Sequence, residues 1–364
     1  MTLGDRSIRN IDWLILISCL LLVMFGLITL YSIGYASKLQ ESEGQAGYYF
    51  FSRQLLWVAL GLVLMLIAAS IPFRYYESAA YLFYIGGIIL LVLVLFISRG
   101  YATRRWIVLG SFHLQPSELM KIALIFALAR FLAEKRNNPN QLKVLFTSFF
   151  MVGIPFLLVV KEPDLGTALV YPALLIPIMY WRGLSEDTLI FIFTPAISAF
   201  LTIYSEKSMA GKSYPYPLLI FFLLILYLAY RRRSEIFKSV FLVTVNLGTM
   251  LIVPLLWERL KLYQQRRILA FLRPEADILG AGWQVYQSKV AIGSGGFLGK
   301  KLFHGTQKFL AFLPERHSDF IFSVYSEELG FIGALIVLLL FSIIIIRGMY
   351  LSTRVKNKFA SLAT

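Results

Sequence analysis

A cluster of charged and polar side chains lies immediately before the last long apolar segment of the sequence. It reads Glu315-Arg316-His317-Ser318-Asp319 and continues directly into Phe320. A carboxylate at such a boundary can act as a general base when it lies about 3 Å from the proton that it accepts. Ser318 or Asp319 can equally cap the helix that follows, because their side-chain oxygens accept hydrogen bonds from free helix N–H groups. The local sequence leaves both interpretations open.

The helix expected from Asp319 onwards carries a polar stripe. Ser323 and Ser326 follow Asp319 at steps of four and three, which places all three residues on one helical face. Glu327 flanks this stripe, whereas Glu328 falls nearly opposite Asp319. The two glutamates are therefore expected to have separate partners.

A second polar cluster begins another apolar segment, within "RRWIVLGSFHLQPSELMK". Pro116, Ser117 and Glu118 are typical of a helix start, since Pro and acidic residues are favoured in the first turn. Glu118 and Lys121 are spaced i, i+3, so they lie on one helical face and are expected to pair. Ionisable residues within membrane helices usually face the bundle interior or a polar cavity. A helix start and a cavity wall are both kept as interpretations.

A third cluster lies in "KEPDLGTALV", a tight turn between two apolar segments. Asp164 is predicted to begin a helix there, where the helix dipole favours a carboxylate. On local grounds this structural role is the favoured interpretation.

Three other patterns do not indicate a site. The glycine-rich "AIGSGGFLGKK" fails the G-x-x-x-x-G-K-[ST] spacing, because Ser294 and Lys301 occupy its first glycine and its Ser/Thr positions. Its glycines are expected to form tight turns, with Lys300 and Lys301 directed to lipid phosphates. The three histidines are too dispersed to form a ligand set, and the single Cys19 excludes disulfides and a zinc cluster. No metal site is predicted.

The elements that carry these clusters are predicted to be membrane helices. The 364 residues are 58% hydrophobic and 15% charged, with a mean hydropathy of +0.72. Charged residues reach about 25% in soluble globular domains, so that class is excluded. Repeated long apolar runs predict an all-α, polytopic membrane protein. The ten predicted spans are Trp13–Tyr31, Leu55–Ile71, Tyr81–Ile97, Leu119–Leu132, Val144–Val160, Leu165–Tyr180, Leu189–Ile203, Pro217–Tyr230, Phe237–Trp257 and Phe320–Ile346.

Lys and Arg residues in the short loops predict the orientation of these spans. Placing both termini in the cytoplasm puts the larger number of basic residues on that side, including Arg231-Arg232-Arg233. Segment 258–317 is then a large extracytoplasmic loop with ten Lys or Arg and four Asp or Glu. Nucleic acid is not an expected partner there. Anionic membrane lipids or a phosphorylated lipid substrate fit this basic surface better.

Four segments of the sequence resemble the SEDS (shape, elongation, division and sporulation) family, above all its elongation-type members. They are "RRWIVLGSFHLQPSELMK", "EPDLGTAL", "GAGWQVYQSKVAIGSGGFLGK" and "HGTQKFLAFLPERHSDFIFSVYSEELGFIG", in that order. The resemblance implies one SEDS-type transmembrane domain over residues 1–364, with peptidoglycan glycosyltransferase activity at the outer face of the bacterial cytoplasmic membrane. It also implies lipid II and undecaprenyl-diphosphate-linked glycan as substrates, β-1,4 linkages in the product, and a class B penicillin-binding protein (a transpeptidase) as partner.

The resemblance further implies roles for individual residues. The essential Asp of the family's H-[ST]-D-F motif falls on Asp319. The substrate-binding residues are Arg105, Trp106, Glu118, Lys121 and Asp164, together with Arg316 and His317 beside Asp319. These roles fit the chemistry, because a carboxylate can accept the proton of the attacking 4-hydroxyl while basic groups neutralise the leaving diphosphate. Lys121, Arg105 and Arg316 are the basic candidates, and a divalent cation, Mg²⁺ or Mn²⁺, at the diphosphate is left open.

The chain departs from the family pattern at three places. Ala311 stands where an acidic residue usually lies eight positions before the catalytic Asp. Arg273 and Ile278 replace residues of a D-P-x-x-D-P-x-G-x-G segment. Residues 206–257 are predicted to hold an inserted helical hairpin, and the family's usual last two spans are expected to be absent.

Two other functions are kept open by the sequence. A transporter or flippase for a lipid-linked precursor could use Glu118, Lys121 and Asp164 along its pathway. A non-catalytic membrane scaffold for a transpeptidase is compatible with the expected absence of two spans. The polar clusters lie near the external ends of their spans, and no inverted repeat is evident. Both observations favour an enzyme with an outward-facing cavity.

Overall fold

The structure is a computed structural model that describes residues 11–39, 44–97, 105–109, 112–206, 216–231, 236–260, 262, 264–265, 283–305 and 317–364. These residues fold into helices and one short β-hairpin. The helices are α1 (Trp13–Leu39), α2 (Gly44–Ser70), α3 (Phe73–Ile97), α4 (Pro116–Ala133), α5 (Leu142–Lys161), α6 (Leu165–Trp181), α7 (Glu186–Glu206), α8 (Tyr216–Arg231), α9 (Ile236–Arg259), α10 (Trp283–Ser294), α11 (Ile321–Arg354) and α12 (Lys358–Ala363). The hairpin strands are β1 (Ile107–Leu109) and β2 (Phe112–Leu114).

Every predicted span falls on one of these helices, which confirms the all-α class. Among the described residues, seven helices are long and apolar enough to cross a membrane: α1, α2, α3, α5, α7, α9 and α11. Helices α6 and α8 are apolar but shorter, and α4 carries Glu118, Lys121 and Arg130 within 18 residues. The chain is therefore a multi-pass membrane protein, whereas the count of ten spans stays a prediction.

Several helices extend well beyond the spans predicted for them. Helix α2 begins at Gly44 instead of Leu55, and α11 ends at Arg354 instead of Ile346. Hydropathy marks only the apolar part of a helix, whereas the backbone hydrogen bonds continue into polar flanks. Spans and helices therefore agree in their centres and differ at their ends.

Local sequence explains where α6 ends. Gly183 has a φ of 102°, a left-handed conformation that suits glycine. The Gly183 N–H donates to the Tyr180 carbonyl at 2.9 Å, and the Leu184 N–H donates to the Met179 carbonyl at 3.0 Å. This Schellman motif satisfies two carbonyls that the helix end would leave without partners.

The chain divides into two compact units, of which the first comprises Met1–Leu16, Gly61–Glu186 and Ser342–Thr364. Helix α4 packs against α3, α5, α6 and α12 in this unit. Its residues Met120, Leu124 and Leu128 are fully buried. Gly87 of α3 approaches α4 so closely that a Cβ there would collide with the Met120 sulfur. Gly87 therefore allows α3 and α4 to approach closely at this point.

The second unit comprises Ile17–Leu60 and Asp187–Phe341. Buried polar side chains connect α7 to α9 within it. The Ser198 hydroxyl donates to Asn246 Oδ1 at 2.6 Å, and the Asn246 amide donates to the Thr194 hydroxyl at 3.0 Å. Such interhelical bonds satisfy polar groups that would be costly to leave unpaired between membrane helices.

Candidate functional site

In the first unit, the predicted site residue Arg105 holds the turn between α5 and α6. Its guanidinium Nη1 lies 3.6 Å from Asp164 Oδ2, an ion pair in which both side chains are largely buried. Arg105 Nε donates to the Glu162 carbonyl at 3.3 Å, and Nη2 donates to the Pro163 carbonyl. Because the fork of an Arg side chain can donate in several directions at once, one residue fixes the turn at three acceptors.

Asp164 begins helix α6, as the sequence predicts. Its Oδ1 accepts from the Thr167 backbone N–H at 3.2 Å, and its Oδ2 accepts from the Thr167 hydroxyl at 3.0 Å. The N-cap role is therefore confirmed. The ion pair with Arg105 uses the same carboxylate, so the structural and charged roles coexist in one side chain.

Glu162, in the same turn, was not predicted as a site residue. Its side chain is fully buried, and neither carboxylate oxygen has a hydrogen-bond partner among the described residues. Burial, followed by the nearby charge of Asp164, raises the pKa of Glu162 to about 8, and Arg105 opposes this rise. The available sequence signal is the i, i+2 spacing to Asp164, and that spacing does not reveal burial.

Helix α4 begins beside the same turn. The hydroxyl of the buried Tyr171 on α6 donates to the Ser117 carbonyl at 2.9 Å. Ser117 Oγ is buried and has no hydrogen-bond partner among the described residues. Lys121 Nζ lies 2.6 Å from Glu118 Oε2, which confirms the predicted i, i+3 pair. The Glu118 side chain is 53% exposed and that of Lys121 25%, so an incoming ligand can reach this pair.

The β-hairpin follows the two predicted residues Arg105 and Trp106 and was not expected from the sequence. Strands β1 and β2 pair antiparallel, with Val108 opposite His113. Trp106 is 41% exposed, and its ring lies edge-on to the His113 ring at 6.4 Å between centroids. The hairpin thus presents an aromatic surface next to the Arg105 clamp, and such a ring can contact a sugar or an acyl chain.

In the second unit, Asp319 is exposed at the start of helix α11. Its carboxylate makes no hydrogen bond or ion pair in the part of the chain that the structure describes, and it caps no helix N–H group. Helix α11 begins only at Ile321. Asp319 therefore does not cap α11, whereas the alternative cap at Ser318 stays a prediction.

The neighbours of Asp319 are described only in part. The His317 ring stacks on Phe50 of α2 with centroids 3.7 Å apart and an interplanar angle of 20°. Arg316 and Ala311 lie outside the described residues. Further along the predicted stripe, Ser323 Oγ lies 2.5 Å from Ser288 Oγ of α10, so the stripe meets helix α10 at this point.

The two glutamates of α11 have separate partners, as predicted. Glu327 is fully buried and accepts from Lys300 Nζ at 2.8 Å. Glu328 is also buried; its Oε1 accepts from the Ser32 hydroxyl of α1 at 2.6 Å and from the Phe303 N–H at 3.2 Å. Lys300 therefore binds a carboxylate of its own chain, and the expected contact of Lys300 and Lys301 with lipid phosphates stays a prediction.

A break at Gly330 divides helix α11 and connects it to the segment after α10. Gly330 has a φ of 65° and a ψ of −161°, so the N–H groups that follow it lose their helical partners. The Phe331 N–H donates to the Gly296 carbonyl at 2.9 Å, and the Ile332 N–H donates to the Phe297 carbonyl at 3.3 Å. Backbone groups in a membrane must be satisfied by the protein. The loop segment therefore completes the broken helix.

The predicted site residues thus form separate groups. The first unit brings Arg105 together with Asp164, and Glu118 together with Lys121. Asp319 belongs to the second unit. Among the described residues, no three His, Cys, Asp or Glu side chains are grouped so that they could hold a metal ion.

Comparison with known proteins identifies a matching family and similar relatives. The chain matches the family FTSW_RODA_SPOVE, described as "Cell cycle protein", over residues 12–214 and 210–364. It is 36% identical to the peptidoglycan glycosyltransferase MrdB of Escherichia coli (strain K12) over 308 residues, 84% of this chain and 69% of that protein. It is 31% identical to the peptidoglycan glycosyltransferase RodA of Treponema pallidum (strain Nichols) over 379 residues, 98% of this chain and 86% of that protein.

Solved structures show the same fold. A chain from a peptidoglycan synthase complex that coordinates polymerization and crosslinking superposes with a TM-score of 0.66 at 24% identity, covering 97% of this chain and 82% of that one. The rod shape determining protein RodA of Thermus thermophilus gives 0.55 at 22% identity, covering 97% and 79%. With sequence matches along nearly its whole length and this shared fold, the chain belongs to the SEDS family of cell cycle proteins.

Proposed function

We propose that this protein is a peptidoglycan glycosyltransferase that polymerises lipid II into β-1,4-linked glycan during cell elongation and shape maintenance. Family membership and the names of its relatives support the reaction class. The single observation that carries the assignment in this chain is the exposed Asp319 carboxylate at the start of α11, which makes no hydrogen bond or ion pair among the described residues.

Asp319 is proposed as the general base. In the reaction, the 4-hydroxyl of the acceptor sugar attacks C1 of the donor while diphosphate leaves, so the hydroxyl must lose a proton. An ionised carboxylate within about 3 Å of that hydroxyl can accept the proton. A carboxylate that is already engaged by a cap or an ion pair would have to give up that interaction first. Asp319 has none to give up among the described residues.

Arg105 and Lys121 are proposed to neutralise the leaving diphosphate. Each lies beside a carboxylate, Asp164 and Glu118 respectively, so each cation is held in place before the substrate arrives. The diphosphate carries more negative charge than either carboxylate and can compete for these cations. Charge stabilisation of a leaving group by preorganised donors is often the largest contribution to catalysis.

The membrane arrangement and the partner belong to the same proposal. Both termini are placed in the cytoplasm, and Asp319 and segment 258–317 at the outer face. A class B penicillin-binding protein is the proposed partner, because one structural neighbour comes from a complex that couples polymerization to crosslinking. The inserted hairpin at 206–257 and a divalent cation at the diphosphate stay predictions. Polymerisation with and without EDTA tests the cation.

Incubation of the purified full chain with purified lipid II tests the proposal, with gel separation of the glycan products. Wild type should make glycan, and Asp319→Ala should make none. Glu134→Gln serves as the control, because it neutralises another exposed carboxylate, one that binds Arg136 outside the proposed site. Glycan synthesis by Asp319→Ala at the wild-type level would show that the assignment is wrong. Movement of lipid II across vesicle membranes without polymerisation would indicate a transporter instead.

Labelling from outside the cell tests the orientation. Leu298 is 75% exposed in the segment after α10, so Leu298→Cys in a Cys19→Ser background should react with a thiol reagent that does not cross membranes. Reaction only after the membrane is opened would contradict the proposed topology.

A further inference from the structure

We infer that the Glu162 carboxyl acts in its neutral form as a positioning residue, which keeps Arg105 on Asp164 and leaves their surroundings without excess negative charge for the substrate diphosphate. The inference rests on the proposed function, since it names a further residue for that reaction. Glu162 itself contacts no reacting atom, and its effect passes through Arg105.

The first support is the surroundings of the carboxyl group. Glu162 lies in the turn between α5 and α6, outside the membrane-spanning helices, yet its side chain is fully buried. Both carboxylate oxygens lack a hydrogen-bond partner among the described residues. An ionised carboxylate is very costly in such a place, whereas a neutral carboxylic acid is tolerated much better. The raised pKa of the group, about 8, agrees with this geometry.

The second support is the set of charged and titratable groups that face Glu162. They are Asp164 in the same turn, Arg105 from the segment before β1, and Tyr171 from α6. The Tyr171 hydroxyl already donates to the Ser117 carbonyl. Arg105 directs its charge to Asp164 and to two main-chain carbonyls, one of which is that of Glu162. In this turn, the Arg105 guanidinium therefore forms its ion pair with one carboxylate, that of Asp164.

Ionisation of Glu162 would change this arrangement in two ways. A second carboxylate beside Arg105 would compete with Asp164 for the guanidinium, because Arg105 already lies against the Glu162 main chain. The group of Arg105, Asp164 and Glu162 would also change from no net charge to a single negative charge. A negative group repels a diphosphate and weakens its binding. Both effects reduce glycan synthesis above the pH at which Glu162 ionises.

The test compares the pH dependence of lipid II polymerisation by wild type and Glu162→Gln. Gln resembles a neutral carboxylic acid in shape but cannot ionise in this range. Wild-type activity should fall by about tenfold between pH 7 and pH 9, as expected for one ionisation near pH 8. Glu162→Gln should be active at pH 7 and change by less than about twofold over the same interval. Glu134→Gln should keep the wild-type profile.

A second measurement does not depend on activity. Infrared difference spectra of the purified full chain should show a protonated-carboxyl band at pH 7 that disappears as the pH rises through 8, and Glu162→Gln should lack this band. If Glu162→Gln keeps the wild-type fall in activity, or if no band titrates near pH 8, the inference is wrong. If wild type makes no glycan while the band titrates as described, the proposed function fails and the neutral carboxyl stands.

Discussion

Replacement of Glu162 by Gln should stabilise the folded protein by an amount that increases with pH. Burial, together with the charge of Asp164 and against that of Arg105, raises the pKa of the Glu162 carboxyl from 4.5 to about 8. In the unfolded chain the carboxyl ionises near its ordinary value. Between these two pH values, unfolding releases a proton that the folded protein retains. Each pH unit in this interval lowers the free energy of unfolding by about 1.4 kcal/mol.

The magnitude follows from the width of the interval. The stabilising contribution of neutral Glu162 is complete below pH 4.5, declines as the pH rises, and is lost above about pH 8. Over this interval the loss amounts to about 5 kcal/mol. A Gln side chain at this position cannot ionise, so the free energy of unfolding of Glu162→Gln does not decline in this way. The difference in unfolding free energy between Glu162→Gln and wild type should therefore widen by about 2.7 kcal/mol from pH 5 to pH 7.

Thermal unfolding of the purified full chain in detergent micelles, at pH 5, 6, 7 and 8, measures this difference. In a domain of 150–250 residues, 1 kcal/mol corresponds to roughly 2–4 °C in Tm. The Tm gap between Glu162→Gln and wild type should then widen by roughly 5–11 °C between pH 5 and pH 7. The gap for Glu134→Gln should stay constant, because that carboxyl is exposed. A Glu162→Gln gap that is the same at every pH would refute the argument.

Three further changes test the contacts around the site, each by thermal unfolding. Lys300→Met should destabilise the protein by about 3 kcal/mol, because the fully buried Glu327 loses an ion pair; an unchanged Tm would contradict this. Gly299→Ala should destabilise the protein by well over 1 kcal/mol, since φ is 80° there and a Cβ would collide with the Glu328 backbone. Gly293→Ala is the control and should be neutral, because a Cβ at Gly293 meets open space. Equal effects of the two changes would show that the close approach of Gly299 does not matter. Asp164→Ala should cost about 1 kcal/mol through the lost N-cap, while Asp164→Asn, which still caps, should cost less; equal losses would count against the cap.

Contacts between residues close in the sequence could be predicted, because helix geometry alone brings them together. The pair of Glu118 and Lys121 follows from i, i+3 spacing, and the cap at Asp164 follows from the dipole at a helix start. The separate partners of Glu327 and Glu328 also follow from helical geometry, since the two side chains point in different directions.

Contacts between residues far apart in the sequence could not be predicted. Lys300 meets Glu327 because the segment after α10 folds back onto α11, and Glu328 meets Ser32 because α1 lies against α11 at that point. The burial of Glu162 depends on the packing of the turn after α5, which no spacing reveals. The expected cap at Asp319 is not formed, because a capping residue type near a helix start does not by itself direct the side chain to the free N–H groups.

The initial rate of lipid II polymerisation by Asp319→Asn, relative to wild type, tests the central claim most directly. Asn keeps the size of the side chain and removes its ability to accept the proton. Loss of a general base typically lowers a rate by about 10²- to 10⁴-fold, so we expect a loss in that range with the Tm unchanged and lipid II binding within about twofold. A folded Asp319→Asn protein that polymerises lipid II within about tenfold of the wild-type rate would contradict the account.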